Sequence, residues 1–237
     1  MTEIQSEDGG LLPISGAVLY NNAFGKGDID NYRQLVFRDR DGAGWEWAWP
    51  ESGGPAIKSY PEVLAGRSPW SEAEAGELLP RRLADARLTI DFDFTTVASG
   101  RWCESFDFWI TRSDRATPAD IVGNLCVWTT KHGVEPAYQG RRTALTIGGR
   151  TYDAIFETPA DQQAKPWKTL CLVDAESRSK GSLGLGPLVD AVIDHGLAQP
   201  TDFLATAELG SEVAYGQGRT TVRTFTLRQT PQPWNGT

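Results

Sequence analysis

The chain has 237 residues, 40% of them hydrophobic, including 9 Trp and 9 Phe, which is enough apolar bulk for one continuous core. Its formal net charge is -8 with no Lys/Arg cluster, so nucleic acid and anionic membranes are excluded as partners, because nothing offsets phosphate repulsion. No apolar run approaches the length needed to span a bilayer.

The first ten residues are acidic and polar, lacking the basic and apolar regions of a secretory signal, so a cytoplasmic location is expected. The first strand is read at Ala17 to Tyr20, with Asn21 to Gly25 as the turn and cleft edge after it. A second strand covers Leu35, Val36 and Phe37 and ends in the turn Asp39 to Gly42. Trp45, Trp47 and Trp49 then alternate, which puts three indoles on one side of a strand. A core ladder accounts for at least two of them, and a sugar-stacking platform is the functional alternative. Ile57 to Val63 reads as a strand stopped by Pro61.

Leu88, Ile90, Phe92 and Phe94 alternate with polar residues, the pattern of a half-buried strand. A separate strand from Trp102 to Thr111 places Ser105, Asp107 and Trp109 on one face and Glu104, Phe106, Phe108 and Ile110 on the other. Asp107 amid aromatics needs a reason, because an unpartnered buried carboxylate is costly. In the next strand Asn124, Cys126 and Trp128 share a face. Ala144 to Phe156 reads as a hairpin turning at Gly148-Gly149, and Thr169 to Val173 as a further strand. The one helix runs from Leu185 to His195, with Leu185, Leu188, Val189, Val192 and Ile193 on its apolar stripe and Gly196 to stop it.

Phe203 to Leu227 reads as two strands joined by glycine-rich turns, with Glu212 between Gly210 and Gly216. Unbroken alternation puts Leu204, Thr206, Glu208 and Glu212 on one face. In the second run, Arg223, Phe225 and Leu227 fall opposite Thr220 and Val222. These elements predict an all-β fold: a two-sheet β-sandwich of jelly-roll, concanavalin-like type with one packed α-helix. Residues 1–15 are expected as an extension, 16–228 as a single domain and 229–237 as a loose tail. Cys103, Cys126 and Cys171 are odd in number and lack metal-like spacing, so free thiols, no metal and no cofactor are expected. Two histidines, His132 and His195, are too few to suggest a metal site.

The order of these segments resembles glycoside hydrolase family 12, the jelly-roll endo-β-1,4-glucanases and xyloglucanases. The matching residues are Asn21-Asn22-x-Phe24-Gly25, Trp45-x-Trp47-x-Trp49, Ile57 to Glu62 with Pro69-Trp70, and Phe106-Asp107-x-Trp109-Ile110-Thr111. They continue through Cys126-Val127-Trp128, the helix, and Glu208 to Val213, so the resemblance runs from about Gly16 to Leu227. It implies a small-molecule or oligosaccharide ligand in a groove across the concave sheet. Glu212 takes the general acid/base position and Asp107 that of the assisting aspartate. Ligand contacts are expected from Asn22, Phe24, Trp47, Tyr60 and Trp109, and also from Cys126, Trp128, His132 and Glu208.

The family nucleophile belongs to a Glu-x-Met-x-Trp pattern, and with Trp128 as anchor its Glu falls on Asn124 and its Met on Cys126. A retaining mechanism needs a carboxylate there, roughly 5–5.5 Å from its partner. An amide is a poor nucleophile, and losing that step costs about tenfold in rate per 1.36 kcal/mol of barrier. The family's cleft-edge Trp is also replaced, by Phe24. Three functions fit this combination. The first is an enzyme that keeps the groove for acid/base and hydrogen-bond chemistry, such as cyclisation, isomerisation or elimination, on a largely apolar small molecule. Glu212, Asp107 and Asn124 would carry that chemistry. The second is a glycoside hydrolase whose second carboxylate is Asp107 or Asp120, or which inverts. The third is a non-catalytic glycan-binding module.

Overall fold

Two strands of 24 residues each, Leu88–Thr111 and Thr206–Gln229, form the spine of the computed structural model, which describes residues 2–51, 56–161 and 165–230. Each was expected as two shorter strands, and each instead runs unbroken from one layer of a sandwich into the other. They pair with one another from Glu208↔Asp107 to Gln229↔Leu88. The crossing point is glycine. Gly100 and Gly216 are directly paired, with φ of 94° and 112°. A Cβ on Gly216 would lie 2.1 Å from the Ser99 carbonyl oxygen, and one on Gly100 would lie 2.3 Å from that of Tyr215. These glycines are not turn residues. They let two backbones bend together at close approach.

On one side of this bend, the second half of Thr206–Gln229 pairs with Gly42–Trp49, which pairs with Arg33–Asp39. Lys180–Gly184, which the sequence did not reveal as a strand, pairs with the first half of Leu88–Thr111. On the other side, the remaining halves pair with Glu62–Arg67 and Ile121–His132. Ile121–His132 runs parallel to Lys168–Asp174, and the hairpin Arg141–Ile147/Arg150–Glu157 completes that edge. This second sheet carries the groove. The helix, Leu185–Asp194, buries Leu185, Leu188, Val189 and Val192 in the core between the layers, and Gly196 follows it at φ 69°. All-β architecture with one packed helix is thus as the sequence predicts.

Several local expectations change. Of residues 1–15, expected outside the domain, Glu3–Gln5 pairs with Arg33–Asp39 and Leu11–Ile14 with Ala17–Tyr20. Gln229 still pairs with Leu88, and the rest of the expected loose tail lies outside the described residues from 231 onward. Pro61 begins a strand, Glu62–Arg67, rather than ending one. Leu204 packs in the core, because the run is interrupted at Ala205 before the long strand starts. A register shift between Val222 and Thr224 returns Phe225 and Leu227 to the core side with Val222. Trp45, Trp47 and Trp49 are all core, at 0%, 2% and 4% exposure.

A polar junction sits inside this core. Glu104, fully buried on the back of the groove sheet, accepts hydrogen bonds at Oε1 from Thr96, Ser211 and Thr220 hydroxyls at 2.5, 2.9 and 2.8 Å. Trp45 donates to the Ser211 hydroxyl at 2.6 Å. Burial raises the Glu104 carboxyl from 4.5 to about 7, and the three hydroxyls only partly oppose this. A folded-state pKa above the unfolded one stabilises the fold at low pH, and the contribution is lost as pH rises through about 7. Glu104→Gln is therefore expected to reduce the stability difference between pH 5 and pH 8 by roughly 3 kcal/mol, measured by denaturant unfolding at each pH.

Candidate functional site

The concave sheet and its loops enclose a groove of about 1100 Å³. Strand alternation supplies its floor. On Leu88–Thr111, Phe106, Phe108 and Ile110 point into the core, which leaves Ser105, Asp107 and Trp109 for the groove. On Ile121–His132, Leu125 and Val127 point inward, and Asn124 and Trp128 line the groove. Glu208 and Glu212 face it from Thr206–Gln229, because Ala207, Leu209 and Val213 take the core side. Direct pairing places Asp107 between Cys126 and Glu208, and Cys103 opposite Glu212.

Four carboxyls therefore share one poorly hydrated floor: Glu62, Asp107, Glu208 and Glu212. Burial pushes Glu212 up to about 7, opposed by the Trp128 indole and the Cys103 thiol beside it. Burial also raises Asp107 well above the usual range, and the charges of Glu212 and Glu208 raise it further, while Asn124 and Lys165 favour its anion. The Asn124 amide faces Asp107, but neither Asn124 Nδ2 nor Asp107 Oδ1 completes a hydrogen bond within the protein. Like charges on so poorly hydrated a floor oppose simultaneous ionisation of Asp107 and Glu212, so their titrations are linked. Such a pair can give a proton and take one.

Asn22 organises one wall. Its Nδ2 donates to Glu62 Oε1 at 3.3 Å, its Oδ1 accepts from the Phe24 N–H at 3.2 Å, and its carbonyl accepts from the Tyr60 N–H at 2.9 Å. Phe24 projects from this wall, 66% exposed. Tyr60 lies flat across Gly210, where any Cβ would meet its ring at 2.8 Å, and its hydroxyl donates to the Ser105 carbonyl at 3.0 Å. At the far end Trp70, Trp109 and Trp167 meet edge to face or tilted, with centroids 5.2 to 5.7 Å apart.

Of the expected contact residues, Asn22, Phe24, Tyr60, Trp109, Trp128 and Glu208 line the groove, as do Glu212, Asp107 and Asn124. Three do not. Trp47 is sealed in the core against Trp102, because its strand belongs to the opposite sheet. Cys126 is fully buried beneath the floor, its sulfur 3.5 Å from the Tyr138 hydroxyl, in a cluster with Cys103, Cys171 and Trp128. His132 is exposed outside the groove, stacked on Trp102 with Nδ1 2.7 Å from the Gly100 carbonyl oxygen. Asp120 is likewise remote, accepting from Ser113 and Thr117 in a loop. All three cysteines are free thiols. Sequence reasoning missed Glu62, Trp70, Tyr138, Lys165 and Trp167. Only Glu62 and Trp70 had a signal, as members of the quoted motifs, and the assumed strand end at Pro61 hid the direction of Glu62.

No family model matches the chain. Endoglucanase S of Pectobacterium parmentieri is 22% identical to it over 205 residues, 85% of this chain and 77% of that protein. A family 12 xyloglucanase from Bacillus licheniformis superposes with a TM-score of 0.85 at 20% identity, covering 95% of this chain and 99% of the other. A metagenome-derived glycoside hydrolase family 12 endoglucanase superposes at 0.79 with 21% identity, over 97% and 98%. The chain has the fold of glycoside hydrolase family 12.

The Trp128 indole N–H is buried and completes no hydrogen bond within the protein, yet its nearness favours the Glu212 anion, so Trp128→Phe is expected to move the Glu212 titration upward from about 7, followed by carbon-13 NMR of labelled glutamate. An unmoved midpoint would show that this indole does not act on Glu212.

Proposed function

We propose that this protein is a glycoside hydrolase acting on a β-1,4-linked glucan or xyloglucan in the groove, with inversion at the anomeric carbon. The observation that carries this reading is the placing of Glu212 and Asp107 on one groove floor, both raised by burial, with the neutral Asn124 beside Asp107. Its support includes the fold shared with proteins described as xyloglucanases and endoglucanases.

In this mechanism Glu212 donates its proton to the glycosidic oxygen as the bond to the anomeric carbon breaks. Asp107 accepts a proton from a water whose oxygen attacks that carbon from the opposite side. Asn124 holds the water through its free amide N–H. A covalent glycosyl ester needs a carboxylate at that position, and the amide supplies none. Glu212's proton ends on the leaving sugar and the water's proton on Asp107, and exchange with solvent restores the starting state.

The test is incubation with tamarind xyloglucan and mixed-linkage β-glucan at high enzyme loading, with reducing ends counted and the first-formed anomer read by proton NMR. An α-anomer is expected. Glu212→Gln should lower turnover by roughly 10²–10⁴-fold. Activity should fall as pH rises through about 7, where Glu212 loses its proton. A β-anomer, or full activity in Glu212→Gln, would refute the mechanism.

A second reading follows from Asn124 together with the exposed aromatics Phe24 and Trp70. Here the same pair catalyses proton transfer, without hydrolysis, on a largely apolar small molecule. No reducing ends from any β-glucan, with a hydrophobic compound recovered from the purified protein, would favour it. Binding of cello-oligosaccharides with no turnover would instead identify a glycan-binding module.

A further inference from the structure

The mechanism above uses one carboxyl pair and leaves a second unused. Glu62 and Glu208 are 2% and 3% exposed, and both line the groove. Glu208 pairs with Leu64 and Gly210 with Glu62 on adjacent strands, so the two glutamates are diagonal neighbours on one face. Burial raises both carboxyls, with Glu62 raised further by the charge of Glu208. Asn22 donates to Glu62 Oε1, while the buried Glu62 Oε2 has no donor other than the neighbouring carboxyl of Glu208 when one of the two is protonated.

No cationic side chain among the described residues answers the charge that this pair carries when ionised. Among the described residues no ion pair includes Glu62 or Glu208. Lys165, by contrast, favours the anions of Asp107 and Glu212. A metal ion needs more ligands, and among the described residues no three His, Cys, Asp or Glu side chains converge to hold one. A neutral hydroxyl would fill the missing hydrogen bond and leave the charge unbalanced. An ammonium group brings three donors and one positive charge.

We propose that Glu62 and Glu208 form a subsite for a primary ammonium group, so that the preferred occupant of the groove is an amine-bearing β-linked oligosaccharide of the glucosamine type. The inference rests on the groove being an oligosaccharide site. Glu208 lies four residues from Glu212 along one strand, roughly 13 Å, so the subsite selects a sugar unit away from the bond that Glu212 addresses. The ammonium replaces the proton that the pair shares, and that proton leaves to solvent.

The test is titration calorimetry of the whole protein at pH 6.5 and low salt, with the glucosamine tetramer, the N-acetylglucosamine tetramer and cellotetraose. Each is run in two buffers of different ionisation heat. The glucosamine tetramer is expected to bind at least about tenfold tighter than cellotetraose, with proton release, as charge-assisted hydrogen bonds predict. The N-acetylated tetramer should show neither effect. Glu62→Gln and Glu208→Gln should each remove most of the advantage over cellotetraose measured in the same variant, whereas Glu135→Gln at the rim should preserve it. If cellotetraose binds and the amine gains nothing, the subsite is refuted and the oligosaccharide groove stands. An advantage that survives in both glutamate variants refutes the subsite too, by making the attraction a general effect of net charge. If no tetramer binds at millimolar concentration, the subsite and the groove reading fall together. Should either glutamate variant fail to fold, absence of proton release in the wild type alone overturns the proposal.

Discussion

The organising constraint is the low hydration of carboxyl groups set on a sheet whose other face is core. Asp107 cannot retreat into the sheet, because Phe106 and Phe108 on either side of it are fully buried. On the groove side it is only partly exposed, and Glu208 lies directly across from it on the neighbouring strand. Ionising all four carboxyls in that space would set like charges against one another where solvent screens them poorly. Some of these carboxyls are therefore held protonated toward neutrality, and groups that titrate there can do acid/base chemistry.

The stability of the fold and the state of the site draw on the same strands. Glu212 faces the groove, and its neighbour Ser211 faces the core, where it donates to Glu104. Cys103 faces Glu212, and its neighbour Glu104 receives that hydroxyl on the back of the sheet. Two adjacent cross-strand pairs thus serve two environments, the groove floor and the dry core. The Gly100–Gly216 crossing lies just beyond it, so the bend that joins the two sheets also ends the groove floor.

Asn124 changes the electrostatics of the groove as much as its chemistry. A carboxylate at that position would be a fifth acid on the floor beside Asp107. The amide adds donors without charge, and its buried nitrogen has no hydrogen-bond partner within the protein. On the hydrolase reading this turns a covalent route into a direct displacement by water. On the alternative it leaves an acid/base pair free for another ligand. Either way the consequence follows from removing one negative charge where charge is hardest to solvate.

Alternation of side chains was legible wherever a strand ran straight. Residues 105, 107 and 109, and residues 124 and 128, were assigned to the correct face from a period of two, because a core on one side enforces that period. The helix declared itself through its apolar stripe and Gly196. The resemblance located Glu212, Asp107 and Asn124 together. Only tertiary structure could decide what lies across from a residue. Gly216 reads as a turn until Gly100 is seen pressed against it, and Val222 reads as opposite to Phe225 until the bulge between them is seen. Trp47 alternates like a platform residue, yet its strand is in the other layer. Cys126 has the groove's parity, yet Tyr138 covers it. Glu62 meets Glu208 across strands whose sequence separation exceeds a hundred residues. Periodicity is a local property of the chain, whereas burial, bulges and carboxyl pairs are set by contacts between segments that the chain brings together only on folding.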